Sequence, residues 1–132
     1  MDRRTVNEDY RVMAEELINN EPILKYLIGA PIKIVYLEST LRKKNHGNFT
    51  LGQCEKVQEK NKWGIPADFT ITIFEPNVRG MSEEQIKILL IHELMHIGED
   101  FNSVRPHDLE DFKYIIDRFG VNWAEIGESD GV

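Results

Sequence analysis

The sequence lacks the features that mark disulfide-stabilised, secreted and membrane-spanning proteins. It contains a single cysteine, Cys54, so no disulfide can form within the chain and no oxidising compartment is required. The first residues, MDRRTVNEDYRVMAEELI, lack the hydrophobic segment of a secretory signal. No apolar run approaches the length that spans a bilayer. We therefore expect a cytoplasmic protein with no membrane partner.

Positive charge is also scarce. The chain carries 16 Lys and Arg residues against 23 Asp and Glu residues, which gives a formal net charge of −7. A general nucleic-acid-binding protein needs a basic face to neutralise phosphates, so this balance predicts no nucleic-acid partner. The one basic run, LRKKNHG at 41–47, is interpreted as a solvent-exposed loop.

Composition and length favour one folded domain. Hydrophobic residues make up 41% and charged residues 30% of the sequence, as in ordinary soluble globular proteins. A chain of 132 residues can bury a sizeable core, and the sequence contains no evident repeat or linker. We expect a single domain over residues 1–132, with the acidic segment 126–132 as a frayed tail.

Hydrophobic spacing predicts a helix followed by strands. Residues 6–20 carry apolar side chains at helical intervals. Residues 31–38 are rich in β-branched side chains, and residues 49–58 form a weaker strand candidate. In residues 68–75, DFTITIFE, two threonines alternate with apolar residues, which predicts a half-buried strand at a sheet edge.

The clearest helix prediction covers residues 81–100, MSEEQIKILLIHELMHIGED. Ser82 followed by Gln85 forms a capping box. A further helix is predicted to begin at Asp108 and to end at Gly120. Together these elements predict an α+β fold, in which a small mixed or antiparallel sheet packs against the central helix, with N-terminal and C-terminal helices beside it.

His92, Glu93 and His96 interrupt the most apolar part of the central helix with the spacing H-E-x-x-H. Buried imidazoles and carboxylates are costly unless something satisfies them. Residues four apart lie on one side of a helix, so both imidazoles can bind the same tetrahedral Zn²⁺ ion. Glu93 lies off that face, within reach of the attacking water. Packing of both histidines against carboxylates or backbone groups is the simpler alternative.

A catalytic zinc site needs a third protein ligand and an open position. The metzincin pattern requires glycine at 99 and histidine at 102, but these residues are Glu99 and Asn102, which excludes that subclass. His107 is the favoured third ligand, because Pro106 restricts it at the entrance of the last helix and it can fold back over the site. Acidic ligands from that helix stay open as alternatives: Glu110, Asp111 and Asp117.

Four blocks of the sequence resemble the family of putative phage metallopeptidases, which is encoded mainly by bacteriophages and prophages. The blocks are LGQCEKV, DFTITIFEPNV, LLIHELMHIG and RPHDLEDF, and the likeness covers about 36–123. The resemblance implies a minimal zincin-like fold, with His92 and His96 as zinc ligands and Glu93 as the catalytic glutamate. It also matches His107 as the third ligand.

These patterns predict a zinc metallopeptidase that hydrolyses peptide bonds in a peptide or protein substrate. Zinc would activate water and polarise the scissile carbonyl, and Glu93 would act as general base. The edge of the 68–75 strand would receive the substrate, with Thr70 and Thr72 near the cleft. The alternative is a non-catalytic metal-binding protein that interacts with a phage or host partner. A phage-encoded chain would act in the host cytoplasm, and no particular oligomeric state is predicted.

Overall fold

The computed structural model describes residues 2–59, 64, 66–106, 112–120 and 122–125. The strands are β1 (Arg4–Val6), β2 (Ile34–Ser39), β3 (Lys44–Asn45), β4 (Asn48–Phe49), β5 (Gly52–Lys56) and β6 (Phe69–Phe74). The α-helices are α1 (Glu8–Asn20), α2 (Glu75–Val78), α3 (Glu83–Met95) and α4 (Lys113–Phe119), and a 3-10 helix covers Pro22–Leu27. None of the helices within these ranges has the length and apolar character needed to cross a membrane.

Strands β1, β2, β6 and β5 form one mixed sheet in that spatial order. β2 and β6 run parallel, whereas β1 pairs antiparallel with β2, and β5 pairs antiparallel with β6. β3 and β4 form a separate two-stranded hairpin. A small mixed sheet combined with several helices confirms the predicted α+β class.

The strand that was predicted at the sheet edge lies inside the sheet. β6 pairs with β2 on one side and β5 on the other, and all its residues are buried. The threonine face is covered as well, since Thr70 is 7% and Thr72 0% exposed. Thr72 Oγ1 accepts a hydrogen bond from Arg4 Nη1 at 3.3 Å. The prediction of a half-buried edge strand was wrong, because the strands and the arginine that cover β6 come from distant parts of the sequence.

The basic run at 41–47 is not a simple loop. Lys44 pairs with Phe49, and Asn45 with Asn48, across the β3–β4 hairpin. The two residues at its tip, 46–47, both have positive φ angles, of 52° and 83°. Positive φ at both central positions is the geometry of the tight turn that suits a two-residue hairpin. The charges of this run are therefore carried on an ordered element.

The C-terminal helix begins later than predicted. Phe112 has extended φ and ψ angles of −70° and 137°, so α4 begins only at Lys113. The predicted cap, Asp108, lies outside the described residues. Gly120 ends the helix as predicted, with a φ of 87° that favours glycine. The helix is short because the chain is extended at Phe112.

Helix α3 is buried along most of its length and contacts β5. Leu90 and Leu94 of α3 share one hydrophobic core with Ile71 and Ile73 of β6 and with Ala14 of α1. Complete burial of a leucine or isoleucine side chain contributes about 1.5–3 kcal/mol. This core holds in place the helix that carries the H-E-x-x-H residues.

Both ends of α3 are held by side chains. Ser82 Oγ accepts a hydrogen bond from the Gln85 backbone N–H at 3.2 Å, and Gln85 Oε1 accepts one from the Ser82 N–H at 2.9 Å, which confirms the capping box. At the other end, the Tyr26 hydroxyl donates to the Ile97 carbonyl at 2.6 Å. Burial raises the pKa of Tyr26 to about 12, so the hydroxyl remains a donor at neutral pH.

Candidate metal site

The last turn of α3 brings His92, Glu93 and His96 together. Each offers one ligand atom, and these atoms all lie within 4.8 Å of one another. His92 is 8% and Glu93 3% exposed. His92 Nε2 lies 3.9 Å from Glu93 Oε2. His96 is the C-cap of α3 and keeps helical angles, φ −70° and ψ −20°, so the spacing still places both imidazoles on one side.

His96 has a hydrogen bond that holds its imidazole ring in one orientation. Its Nδ1 lies 2.6 Å from the carbonyl oxygen of Arg105. A carbonyl oxygen can only accept, so Nδ1 carries the hydrogen, and in the neutral ring Nε2 then has the lone pair that a metal ion can bind. Histidine ligands in metal sites usually donate their second ring nitrogen to an oxygen in this way, which fixes the tautomer and the ring orientation. The donor set therefore fits a metal ion.

A closed turn after α3 carries this carbonyl group. Ile97 and Val104 form an antiparallel bridge, and the Arg105 backbone N–H donates to the His96 carbonyl. Within the turn, Asp100 Oδ1 accepts a backbone hydrogen bond at 2.9 Å and a hydroxyl hydrogen bond at 3.1 Å. The chain thus folds back on α3, and Arg105 reaches His96 through both its N–H and its carbonyl.

Aromatic rings pack against both imidazoles. The ring centroid of Phe112 lies 5.5 Å from that of His92 and 4.9 Å from that of His96. Trp123 lies 6.1 Å from His92 by the same measure. The Arg105 guanidinium lies over the Phe112 ring, 4.9 Å from its centroid. These contacts restrict the imidazole rings and make their surroundings partly apolar.

Gly52, the first residue of the edge strand β5, lies against the Glu93 carboxylate. A Cβ atom at Gly52 would come within 3.1 Å of Glu93 Oε2 and within 3.2 Å of Ile73 Cδ1. Such distances are shorter than ordinary van der Waals contact. A glycine inside a strand often marks a place where another group approaches the backbone closely. Here the missing side chain leaves the space that the Glu93 carboxylate occupies.

Cys54 has the properties of a core residue rather than a ligand. It is 9% exposed and belongs to the hydrophobic core. Burial, with a smaller contribution from the negative charge of Glu93, raises the pKa of the Cys54 thiol. Metal binding uses the thiolate, which this environment disfavours. Cys54 therefore packs in the core as a small buried hydrophobe.

The structure brings together three of the predicted site residues. His107, the favoured third ligand, lies outside the described residues, as do Glu110 and Asp111. Asp117 is exposed on α4 and is not part of the group formed by His92, Glu93 and His96. Within the described residues, Thr70 and Thr72 are buried inside the sheet and do not form an exposed substrate edge.

A family model described as "Putative phage metallopeptidase" matches residues 3–129. The chain belongs to this family. The match covers nearly the whole chain and confirms the resemblance seen in the sequence. Membership in a metallopeptidase family implies a metal ion and a peptide or protein substrate, and the group of His92, Glu93 and His96 could hold such an ion. No curated protein and no solved structure matches the chain.

Three residues beside this group were not identified from the sequence. The Arg105 carbonyl had no sequence signal, because any residue could supply it and only the turn after α3 places it. Gly52 had a weak signal as an isolated glycine in a strand candidate. Phe112 lies within the segment predicted as the last helix, but its contact with both histidines depends on how the chain returns to α3.

Proposed function

We propose that this protein is a zinc-dependent peptidase in which His92 and His96 bind the metal and Glu93 acts as general base. The observation that carries the proposal is the group of two imidazoles and a carboxylate, in which His92 and Glu93 are buried and His96 is half-buried, with His96 Nδ1 held by the Arg105 carbonyl. A structural zinc site is closed by four protein ligands and has no need of a carboxylate at the position of Glu93.

Zinc is favoured by the chemistry of the donors. Imidazole nitrogens suit zinc, whereas magnesium and calcium prefer sites built from oxygen ligands. We propose His107 as the third ligand, with one position left for water or substrate. When bound, zinc polarises the scissile carbonyl and lowers the pKa of a coordinated water toward neutrality. The apolar contacts of Phe112 with both rings limit the access of bulk water to the imidazole nitrogens.

The role of Glu93 follows from its position. Its carboxylate lies beside His92 and is almost completely buried, between the metal-binding side of α3 and Gly52 of β5. From there Glu93 would accept a proton from the attacking water and deliver it to the amine that leaves when the peptide bond breaks. Gly52 would act as a positioning residue, because it determines how closely β5 approaches the carboxylate.

We infer that the substrate pairs with β5, not with β6. The ladder bonds from the Phe74 N–H to the Leu51 carbonyl, at 2.9 Å, and from the Val57 N–H to the Asp68 carbonyl, at 2.8 Å, show which residues of β5 face β6. In an antiparallel ladder the alternate residues turn their N–H and C=O groups outward. Those residues are Gly52, Cys54 and Lys56. An extended peptide that adds a strand to this edge would lie next to Glu93.

The direct test of the proposed function is metal-dependent cleavage by the full chain, purified without a metal column. We expect cleavage of a quenched-fluorescence peptide library that stops after treatment with a chelator. Added zinc should restore it, and added magnesium should not. Cleavage that survives complete metal removal would contradict the mechanism. Zinc-loaded protein that cleaves no peptide in the library would instead indicate a non-catalytic metal-binding protein.

We predict that Gly52→Ala slows hydrolysis without removing the metal. The new methyl group would push the Glu93 carboxylate by a few tenths of an ångström. A displacement of about 1 Å can cost about 10²-fold in rate, so a loss of about 3- to 30-fold in kcat is expected. Zinc content, measured by elemental mass spectrometry, should not change.

A second variant tests the steric explanation for this loss. Ile73→Val removes the other atom that crowds the new methyl group, Ile73 Cδ1. Gly52→Ala combined with Ile73→Val should therefore recover part of the lost kcat, whereas Ile73→Val alone should have little effect on it. An unchanged kcat in Gly52→Ala would mean that the close approach to Glu93 has no role in positioning the carboxylate.

A further inference from the structure

The β3–β4 hairpin presents basic side chains shortly before Gly52, the residue of β5 that lies against Glu93. Segment 41–50, LRKKNHGNFT, contains no acidic residue in a chain whose formal net charge is −7. Arg42 and Lys44 are exposed, and neither has a carboxylate partner among the described residues. Phe49 is 48% exposed although it is aromatic. The hairpin therefore combines unpaired positive charge with an accessible apolar ring.

The two exposed cations are arranged by this ring. The Lys44 ammonium lies 4.9 Å and the Arg42 guanidinium 5.8 Å from the centroid of Phe49. Contact of both cations with one ring keeps them close to each other, which lowers the entropy that would be lost on binding an anionic group. The tight turn at 46–47 further restricts the backbone that carries them.

The hairpin is firmly attached to the edge strand. Asn77 Nδ2 donates to the Lys43 carbonyl at 3.0 Å and to the Thr50 carbonyl at 2.7 Å, so α2 holds both sides of the hairpin base. Lys43 Nζ donates to Gln53 Oε1 of β5 at 2.6 Å. Phe49 precedes Gly52 by three residues, a distance of about 10 Å along an extended chain. The basic side chains thus lie within reach of a peptide bound on β5.

We propose that the β3–β4 hairpin is a substrate-recognition element that binds acidic residues on the C-terminal side of the scissile bond. This inference rests on the proposed peptidase function, because it takes β5 as the substrate edge. Antiparallel pairing is the more stable arrangement. A peptide antiparallel to β5 passes Gly52 and Glu93 and then continues toward the hairpin, so its downstream residues meet Arg42 and Lys44. Acidic downstream residues complement these charges.

Binding to the Glu93→Gln protein, reconstituted with zinc, tests this inference without interference from cleavage. The probes are fluorescent peptides with a neutral segment followed by Asp and Glu, matched peptides with Asn and Gln instead, and peptides with the acidic residues placed first. We expect the downstream-acidic peptide to bind about 5- to 20-fold more tightly than its amide match, since each exposed ion pair contributes modestly. The preference should weaken at high salt.

Two double charge-reversal variants, one a test and the other its control, separate a local effect of the hairpin from a general effect of net charge. Arg42→Glu with Lys44→Glu should remove the preference for the acidic peptide. Lys25→Glu with Lys33→Glu makes the same change in net charge at exposed positions away from the hairpin and should keep the preference. Equal loss in both double variants would show a general charge effect and would overturn the proposal.

Other outcomes also decide against it. Equal binding of the acidic and amide peptides would mean that the basic side chains of the hairpin do not recognise substrate. Their role would then be to keep an exposed strand edge from pairing with other chains. A preference for upstream acidic residues would overturn the proposed peptide direction. Tighter binding of a single-stranded oligonucleotide would assign the hairpin to nucleic acid. Cleavage by the wild-type protein without charge preference would overturn this inference alone. Charge preference without cleavage would overturn the peptidase proposal, and the hairpin would then be a binding site for acidic peptides and not part of a protease.

Discussion

Glu93→Gln is expected to lower kcat for peptide hydrolysis by about 10²- to 10⁴-fold, the range that general acid–base catalysis contributes. The amide has nearly the same shape as the carboxylate, so the variant should fold and retain zinc, but it cannot accept the proton of the attacking water. The measurement is kcat on a cleaved library peptide, together with zinc content by elemental mass spectrometry.

Glu84→Gln is the matched control for this variant. Glu84 lies in the first turn of the same helix, with a side chain that is 83% exposed, and should leave kcat unchanged. Full activity in Glu93→Gln would rule out the proposed general base. Loss of zinc together with activity would mean that the Glu93 carboxylate contributes to metal binding.

The second large effect is expected for the metal ligands. His96→Ala should weaken zinc binding by about 100-fold or more, because loss of an outer partner alone typically costs 10- to 100-fold. We expect about one zinc per chain in the wild type and little in His96→Ala after dialysis, measured by elemental mass spectrometry. His107→Ala should show a comparable loss if His107 supplies the third ligand.

The exposed hairpin histidine provides the control for these measurements. His46→Ala removes an imidazole at the tip of the β3–β4 hairpin and should keep the full zinc content. Zinc retained in His107→Ala but lost in His96→Ala would move the third ligand to an acidic residue, with Glu110, Asp111 and Asp117 as candidates. Wild-type protein that takes up no zinc would contradict the metal site altogether.

Local signals in the sequence were sufficient for the elements that depend on short-range interactions. The capping box of Ser82 and Gln85 predicted the start of α3, and Gly120 predicted the end of α4. The four-residue spacing of His92 and His96 predicted that the two imidazoles share one side of α3. Each of these features depends on backbone geometry within one or two helical turns, which nearby residues determine.

Features that depend on distant contacts were misread or missed. The alternation in β6 correctly identified a strand, but it could not show that β2 and β5 pair with both edges or that Arg4 reaches Thr72. The basic run was interpreted as a loop, although it forms a hairpin whose base is held by Asn77 of α2, 34 residues beyond Lys43. The role of the Arg105 carbonyl in orienting His96 had no signature, since a backbone carbonyl is present in every residue.

The sequence by itself determined the α+β class, the central helix and the chemical groups available for metal binding, because hydrophobic period, caps and residue spacing act locally. Only the tertiary structure decided which strand lies at the sheet edge, how Gly52 makes room for Glu93, and which carbonyl fixes the tautomer of His96. These arrangements arise when segments far apart in the chain pack against one another. Their geometry depends on how the whole core closes and not on any single stretch of residues.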